Sequence, residues 1–142
     1  MIRIVLAVVI SAALLGIALP SAERADRDRN TALAIDELER TAHTADRLAA
    51  ENDPVPATEK PAATTIELTP PDPAFTEAGG YFRIDDDELL WEVSTEVSRT
   101  VSSTVPIRVE DPLVITERTR LRLRFVRLDE KSVVQIRLEN DR

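Results

Sequence analysis

The chain has 142 residues, a formal net charge of −8 at pH 7 and no cysteine. The absence of thiols excludes disulfides, thiolate zinc sites and thiol catalysis, and the excess of acids argues against general binding to nucleic acid. This length has room for one small domain and a helical segment.

The first element is an uncharged apolar run from Ile4 to Ala22, which follows Arg3. A helix over this run spans roughly 28 Å, close to the ~30 Å hydrocarbon core of a bilayer. We expect residues 1–22 to form a transmembrane helix that contacts lipid through residues 4–22. The alternative is a cleaved secretory signal, for which Gly16-Ile17-Ala18 and, less favourably because of its proline, Pro20-Ser21-Ala22 offer cleavage contexts.

Basic residues flank the apolar run on both sides, with Arg3 before it and Arg24, Arg27 and Arg29 after it. The preference of arginine for the cytoplasmic side therefore does not decide the orientation. We expect a single-pass protein of the cell membrane with the bulk of the chain outside the cytoplasm.

Residues 23–51 predict an amphipathic stalk helix. Its apolar residues recur at spacings of three and four, which is the pattern of a helix-packing seam. The seam consists of Ile35, Leu38, Ala42, Ala45 and Ala49. Small alanines let a neighbouring helix or sheet approach closely, and a lone helix of this kind needs such a partner. Pro20 is expected to kink or interrupt the helix where the two helical stretches meet.

The remainder predicts an antiparallel β domain, so the expected fold class is α+β with a long N-terminal helix and a small sheet. Residues 52–63 contain three prolines and no periodicity, which predicts an extended linker. The β domain is expected over residues 64–142, where apolar and polar residues alternate. The predicted strands are 64–68, 81–84, a run over 89–109 that is too long for one strand and is expected to bend or turn near 99–104, and a hairpin over 120–138 with its turn at 129–131.

Few residues have the pattern of a chemical site. His43 is the single histidine, and it lies on the predicted helix far from any nucleophile pattern. The acidic run 85–88 offers oxygens of the kind that calcium prefers, but a solvated hairpin turn is the favoured interpretation. We expect no catalytic residue, no cofactor, no metal and no enzymatic activity.

An alternating row of arginines is the sharpest surface feature. Its members are Arg118, Arg120, Arg122 and Arg124. On a strand they share one face at intervals of about 6.8 Å. They either form a docking face for an acidic partner or for anionic lipid headgroups, or they pair with acids of a neighbouring strand such as Glu92 or Glu96. The pairing is the favoured interpretation.

An apolar helix that continues as an alanine-rich amphipathic helix and precedes a small antiparallel sheet is similar to the type IV pilin family. Residues Ile4–Leu19, Pro20 and the helix to Ala50 carry the resemblance. Pilins have a glutamate a few residues inside the apolar run, whereas this run contains no acid. The acidity with only two lysines also resembles proteins of salt-loving archaea, so the chain looks most like a haloarchaeal minor pilin. An ordinary acidic surface accounts for the same composition.

The resemblance implies a structural role, because the apolar helices of pilins bundle as the filament core while the heads face outward. We expect a membrane-anchored, pilin-like component of a surface filament or secretion machine that acts by protein–protein contact. Its expected partners are other pilin-like or membrane-assembly proteins, in a homo-oligomer or hetero-oligomer. The alternative is a secreted β-domain binding protein that is released by signal-peptide cleavage.

Overall fold

The computed structural model describes residues 1–74, 79–94 and 97–139. A single helix, α1 (Ile2–Glu51), precedes the sheet-rich region. The strands of the described residues are β1 (Val55–Pro56), β2 (Ala63–Leu68), β3 (Tyr81–Asp85), β4 (Glu88–Ser94), β5 (Val97–Val101), β6 (Ile107–Arg108), β7 (Leu113–Ile115), β8 (Thr119–Leu128) and β9 (Lys131–Leu138). The predicted α+β fold with a long N-terminal helix is confirmed.

Helix α1 continues through Pro20, so an interruption there is wrong, whereas the alternative of a kink stays a prediction. A proline removes one backbone donor from the helix, but the many bonds on either side preserve a helix of 50 residues. The Ser21 hydroxyl also donates to the Ile17 carbonyl at 3.3 Å within the same turns. The helix ends where Asn52 donates its side-chain amide to the Leu48 carbonyl at 2.9 Å.

The strands form two sheets. One has five strands in the order β1-β8-β9-β6, with β2 also paired to β8, and the other has four strands in the order β5-β4-β3-β7. Most neighbours are antiparallel, while the two-residue strands β1 and β6 lie parallel to β8 and β9.

The long alternating run is divided between the two sheets. Strand β4 ends at Ser94 and pairs antiparallel with β5, whereas β6 pairs with β9 in the other sheet. The predicted bend or turn near residues 99–104 corresponds to the break between β5, which ends at Val101, and β6, which begins at Ile107. The separation of β4 from β5 was not predicted. The alternation of apolar and polar residues shows on which face of a strand a side chain lies. It does not show where the chain turns, because the two strands that flank a turn can continue the same alternation.

Two hairpin turns have backbone conformations that fit their short loops. Asp129 and Glu130 join β8 to β9 with φ values of 47° and 66°, as the twist of a two-residue hairpin favours. Asp86 and Asp87 join β3 to β4, and Asp87 has a φ of 62°. Both turns lie where the sequence predicted them.

One hydrophobic core joins both sheets to the C-terminal half of α1. Leu38 contributes from the helix, Leu123 from β8, and Phe82 and Trp91 from the paired strands β3 and β4. The Phe82 and Trp91 rings lie 5.1 Å apart between centroids at an interplanar angle of 53°. The sheets thereby hold the second half of the helix and leave the first half free.

Candidate functional site

The N-terminal half of α1 presents a continuous apolar surface. Its large apolar side chains are each at least half exposed: Ile2, Ile4, Val5, Leu6, Val8, Val9, Ile10, Leu14, Leu15, Ile17 and Leu19. Among the described residues this helix is long and apolar enough to cross a membrane, and its apolar window is not buried against the protein. The same properties are found in signal sequences. Exposed apolar surface of this extent marks an interaction with lipid or protein.

The second half of α1 lies against the sheets. The predicted seam residues Leu38, Ala42 and Ala45 are buried, and Ile35 and Ala49 are half-buried against the same core. The partner of this seam is thus the chain's own sheets. The buried stripe also includes residues that the seam pattern missed: Asp26, Asn30, Ala34, Thr41 and Leu48. They follow the same spacing of three and four, and the polar side chains of Asp26, Asn30 and Thr41 conceal the pattern at those positions.

Two helix carboxylates tie α1 to the rest of the chain. Asp26 accepts a hydrogen bond from the Ala74 backbone amide at 2.9 Å, and Asp46 accepts one from the Val105 amide at 2.9 Å. Sequence reasoning missed both roles, because a long-range amide donor leaves no pattern in the chain. His43 is exposed on the helix.

The acidic hairpin turn of β3 and β4 binds the strand β6. Asp87 accepts hydrogen bonds from the Ile107 amide at 2.9 Å and from the Arg108 guanidinium at 2.8 Å, and Asp86 accepts one from the Val109 amide at 3.0 Å. The Arg108 hydrogen bond is the largest cause of a lowered pKa of Asp87. These carboxylates connect the two sheets, a structural role that the acidic run alone did not indicate.

The row of arginines divides into a paired and an unpaired part. Arg118 lies 2.7 Å from the Glu67 carboxylate and Arg120 lies 3.9 Å from it, and the hydrogen bond to Glu67 raises the pKa of Arg118. Arg124 donates to the Ala57 carbonyl at 3.2 Å. Within the described ranges, Arg122 has neither an ion pair nor a side-chain hydrogen bond.

The acid that pairs with the row is Glu67 of β2, which lies beside β8. Glu92 lies on β4 in the other sheet, where it accepts a hydrogen bond from the Tyr81 hydroxyl. That bond is also the largest cause of a raised pKa of Tyr81. Glu96 lies outside the described residues. The favoured interpretation therefore holds for Arg118 and Arg120, with Glu67 and not Glu92 as the acid. It does not hold for Arg122 and Arg124, which have no acidic partner among the described residues.

An open groove of about 820 Å³ lies beside the unpaired part of the row. We call it the basic groove. Its charged lining consists of Glu59, Lys60, Arg122, Arg124, Arg137 and Glu139. Four of these six side chains are basic, so the groove is locally positive on a chain whose net charge is −8. Lys60 and Arg137 are separated from the arginine row in the sequence. The fold brings both side chains next to it.

A family model described as a domain of unknown function, DUF7311, matches residues 1–139. The chain belongs to this family. The matched range includes the apolar half of α1 together with the strands of both sheets. No curated protein and no solved structure matches the chain.

Proposed function

We propose that this protein is a single-pass membrane protein whose β-rich head acts by protein–protein contact outside the cytoplasm. The supporting observation is one continuous helix with two different halves. Its first half exposes a bilayer-length apolar surface, and its second half is part of the core of the head. The layout is similar to that of type IV pilins, which supports a role as a pilin-like subunit of a surface filament or secretion machine.

The contacts of α1 support a head that lies close to the membrane. Asp26 is the first buried residue of the helix, and it lies four residues after Ala22, or about 6 Å along the axis. Because Asp26 also bonds to Ala74, the head begins almost where the apolar run ends. An anchor with so short an exposed connection restricts how the head is presented to a neighbouring subunit.

The second candidate is a secreted binding domain from which the apolar segment is removed. It is favoured by the position of the apolar run at the N-terminus, because a signal sequence has the same length and composition. Cleavage near Leu19 or Glu23 leaves the contacts of Asp26 and of the seam in place, so the head is expected to keep its fold.

The mass of the mature chain distinguishes the two candidates. We expect the protein to stay in carbonate-washed membranes with a mass that includes residues 4–22. Ala13→Asp should release a large fraction of it, because an aspartate at the centre of a spanning helix costs about 3 kcal/mol. The matched control Ala32→Asp, at an exposed position of the same helix, should stay in the membrane. A soluble chain that starts near Leu19 or Glu23 contradicts the proposed anchor.

A further inference from the structure

We infer that the basic groove binds an acidic polypeptide segment of a partner protein. The inference extends the proposed function, since the choice of a protein over the membrane as the ligand rests on the proposed anchor. The ligand groups are carboxylates of a flexible acidic chain.

Strand pairing concentrates positive charge at one place. Arg122 of β8 lies directly opposite Arg137 of β9, and Arg124 lies two positions further along the same face. Like charges directly opposite each other on a sheet repel and destabilise it. A bound anion between them removes this repulsion. Lys60 adds a further cation from the segment between β1 and β2.

The protein's own acids compensate this charge only in part, because the groove is lined by four basic side chains and by two acidic ones, Glu59 and Glu139. Glu67 pairs with Arg118 and Arg120, outside the groove. Arg137 pairs with Glu110, but its Nε is buried and has no hydrogen-bond partner. Over the described part of the chain, Lys60 and Arg122 have no acidic partner. A guanidinium presents parallel N–H donors that match a carboxylate, so these side chains suit an acidic ligand.

The shape and the position of the groove favour a polypeptide over a lipid headgroup. The groove is open and extends across the three strands β2, β8 and β9, which suits an extended segment with several carboxylates. Its lining residue Ala63 precedes Thr64, which lies beside Leu48 near the end of α1. Leu48 is about 39 Å along the helix from Ala22, far beyond the Debye length of about 8 Å in physiological salt. Headgroups of the anchoring membrane are therefore too distant to fill the groove.

A binding measurement on the full chain in neutral-lipid nanodiscs tests the inference. The probe is a fluorescein-labelled decaglutamate peptide, and fluorescence anisotropy follows its binding at low and at physiological salt. We expect saturable, salt-sensitive binding. Arg122→Ala and Lys60→Ala should each weaken it about tenfold, as the loss of one charge-assisted hydrogen bond predicts.

The matched control is Arg118→Ala, an exposed arginine of the same row that Glu67 already neutralises. It should change the affinity less than about twofold, and the emission of Trp91 should show that all variants remain folded. Absence of peptide binding, or an equal effect of Arg118→Ala and Arg122→Ala, overturns the inference. Displacement of the peptide by inorganic phosphate at equal charge, or by anionic lipid in the nanodisc, also overturns it in favour of a small-anion or headgroup site. A chain that leaves the membrane but still binds the peptide refutes the anchor and not the groove.

Discussion

The indole of Trp91 packs directly over the backbone of Gly80, next to the start of β3. A Cβ atom placed on Gly80 would lie 2.3 Å from the indole Cζ2. Trp91 is only 1% exposed and also contacts Phe82, so the ring has no free space into which it can move. Neighbouring Gly79 has more space, because the heavy atom nearest to a Cβ placed there would be Pro73 Cδ, at 3.7 Å.

Gly80→Ala should therefore destabilise the head by about 1–3 kcal/mol through overpacking. Gly79→Ala should leave the stability unchanged or raise it by about 0.5 kcal/mol, because its φ is not in the left-handed region and alanine restricts the unfolded chain. Urea unfolding followed by the fluorescence of the single tryptophan measures both variants. Equal stabilities of the two variants would contradict the proposed packing.

The charged contacts between strands could be predicted from the sequence only in part. Alternation correctly placed Arg120 and Arg122 on a polar face of a strand. It did not show that β2 is the neighbour of β8, so it did not identify Glu67 as the pairing acid. In the same way, the acidic turn was visible, but its bonds to Ile107 and Arg108 depend on a strand 20 residues away. Strand order, which short patterns do not encode, decides these contacts.

Helix α1 packs through alanines, and its buried polar residues Asp26 and Thr41 have hydrogen-bond partners. Ala42 and Ala45 bring the helix close to the sheets, while the Thr41 hydroxyl donates to the Glu37 carbonyl at 3.0 Å. The apolar period of three and four residues was enough to find the seam. It did not find Asp26, because a buried carboxylate is expected only where a donor such as the Ala74 amide is known.

Ala42→Glu tests whether the seam holds the head on the helix. Ala42 is 5% exposed within the core, so the substitution buries an unpaired charge and should cost about 3 kcal/mol or more. Ala32→Glu, at an exposed position of the same helix, should change the stability by less than about 0.5 kcal/mol. Membrane association should persist in both variants, because residues 4–22 are unchanged. Wild-type stability of Ala42→Glu in urea would refute the packing role of the seam.

The long-range arrangement was predictable only in part. The helix and the β8–β9 hairpin have strong local periodicity, and both were predicted near their observed positions. Strands β1, β6 and β7 have two or three residues each and pair with distant partners. Strands of two or three residues are too short to show a periodic pattern in the sequence. The arginine row already offered Arg122 and Arg124 as a possible docking face. The addition of Lys60 in the basic groove depends on long-range pairing and could not be predicted.

The combined arrangement is an exposed apolar half-helix that continues without a break into the helix of the head, with the basic groove near the C-terminal end of that helix. Because the chain has no cysteine, single cysteines report the surroundings of each part. Ser11 lies within the apolar run, and Ser132 is exposed near the start of β9. Both are small hydroxyl residues, so cysteine is a conservative replacement at either position.

Labelling of intact cells with a membrane-impermeant maleimide is the most direct test of the proposed topology. Ser132→Cys should react in intact cells. Ser11→Cys should react only after the membrane is dissolved in detergent, because lipid covers that part of the helix. Equal labelling of both variants without detergent, or a mature chain that has lost position 11, would contradict a lipid-embedded anchor and the membrane role built on it.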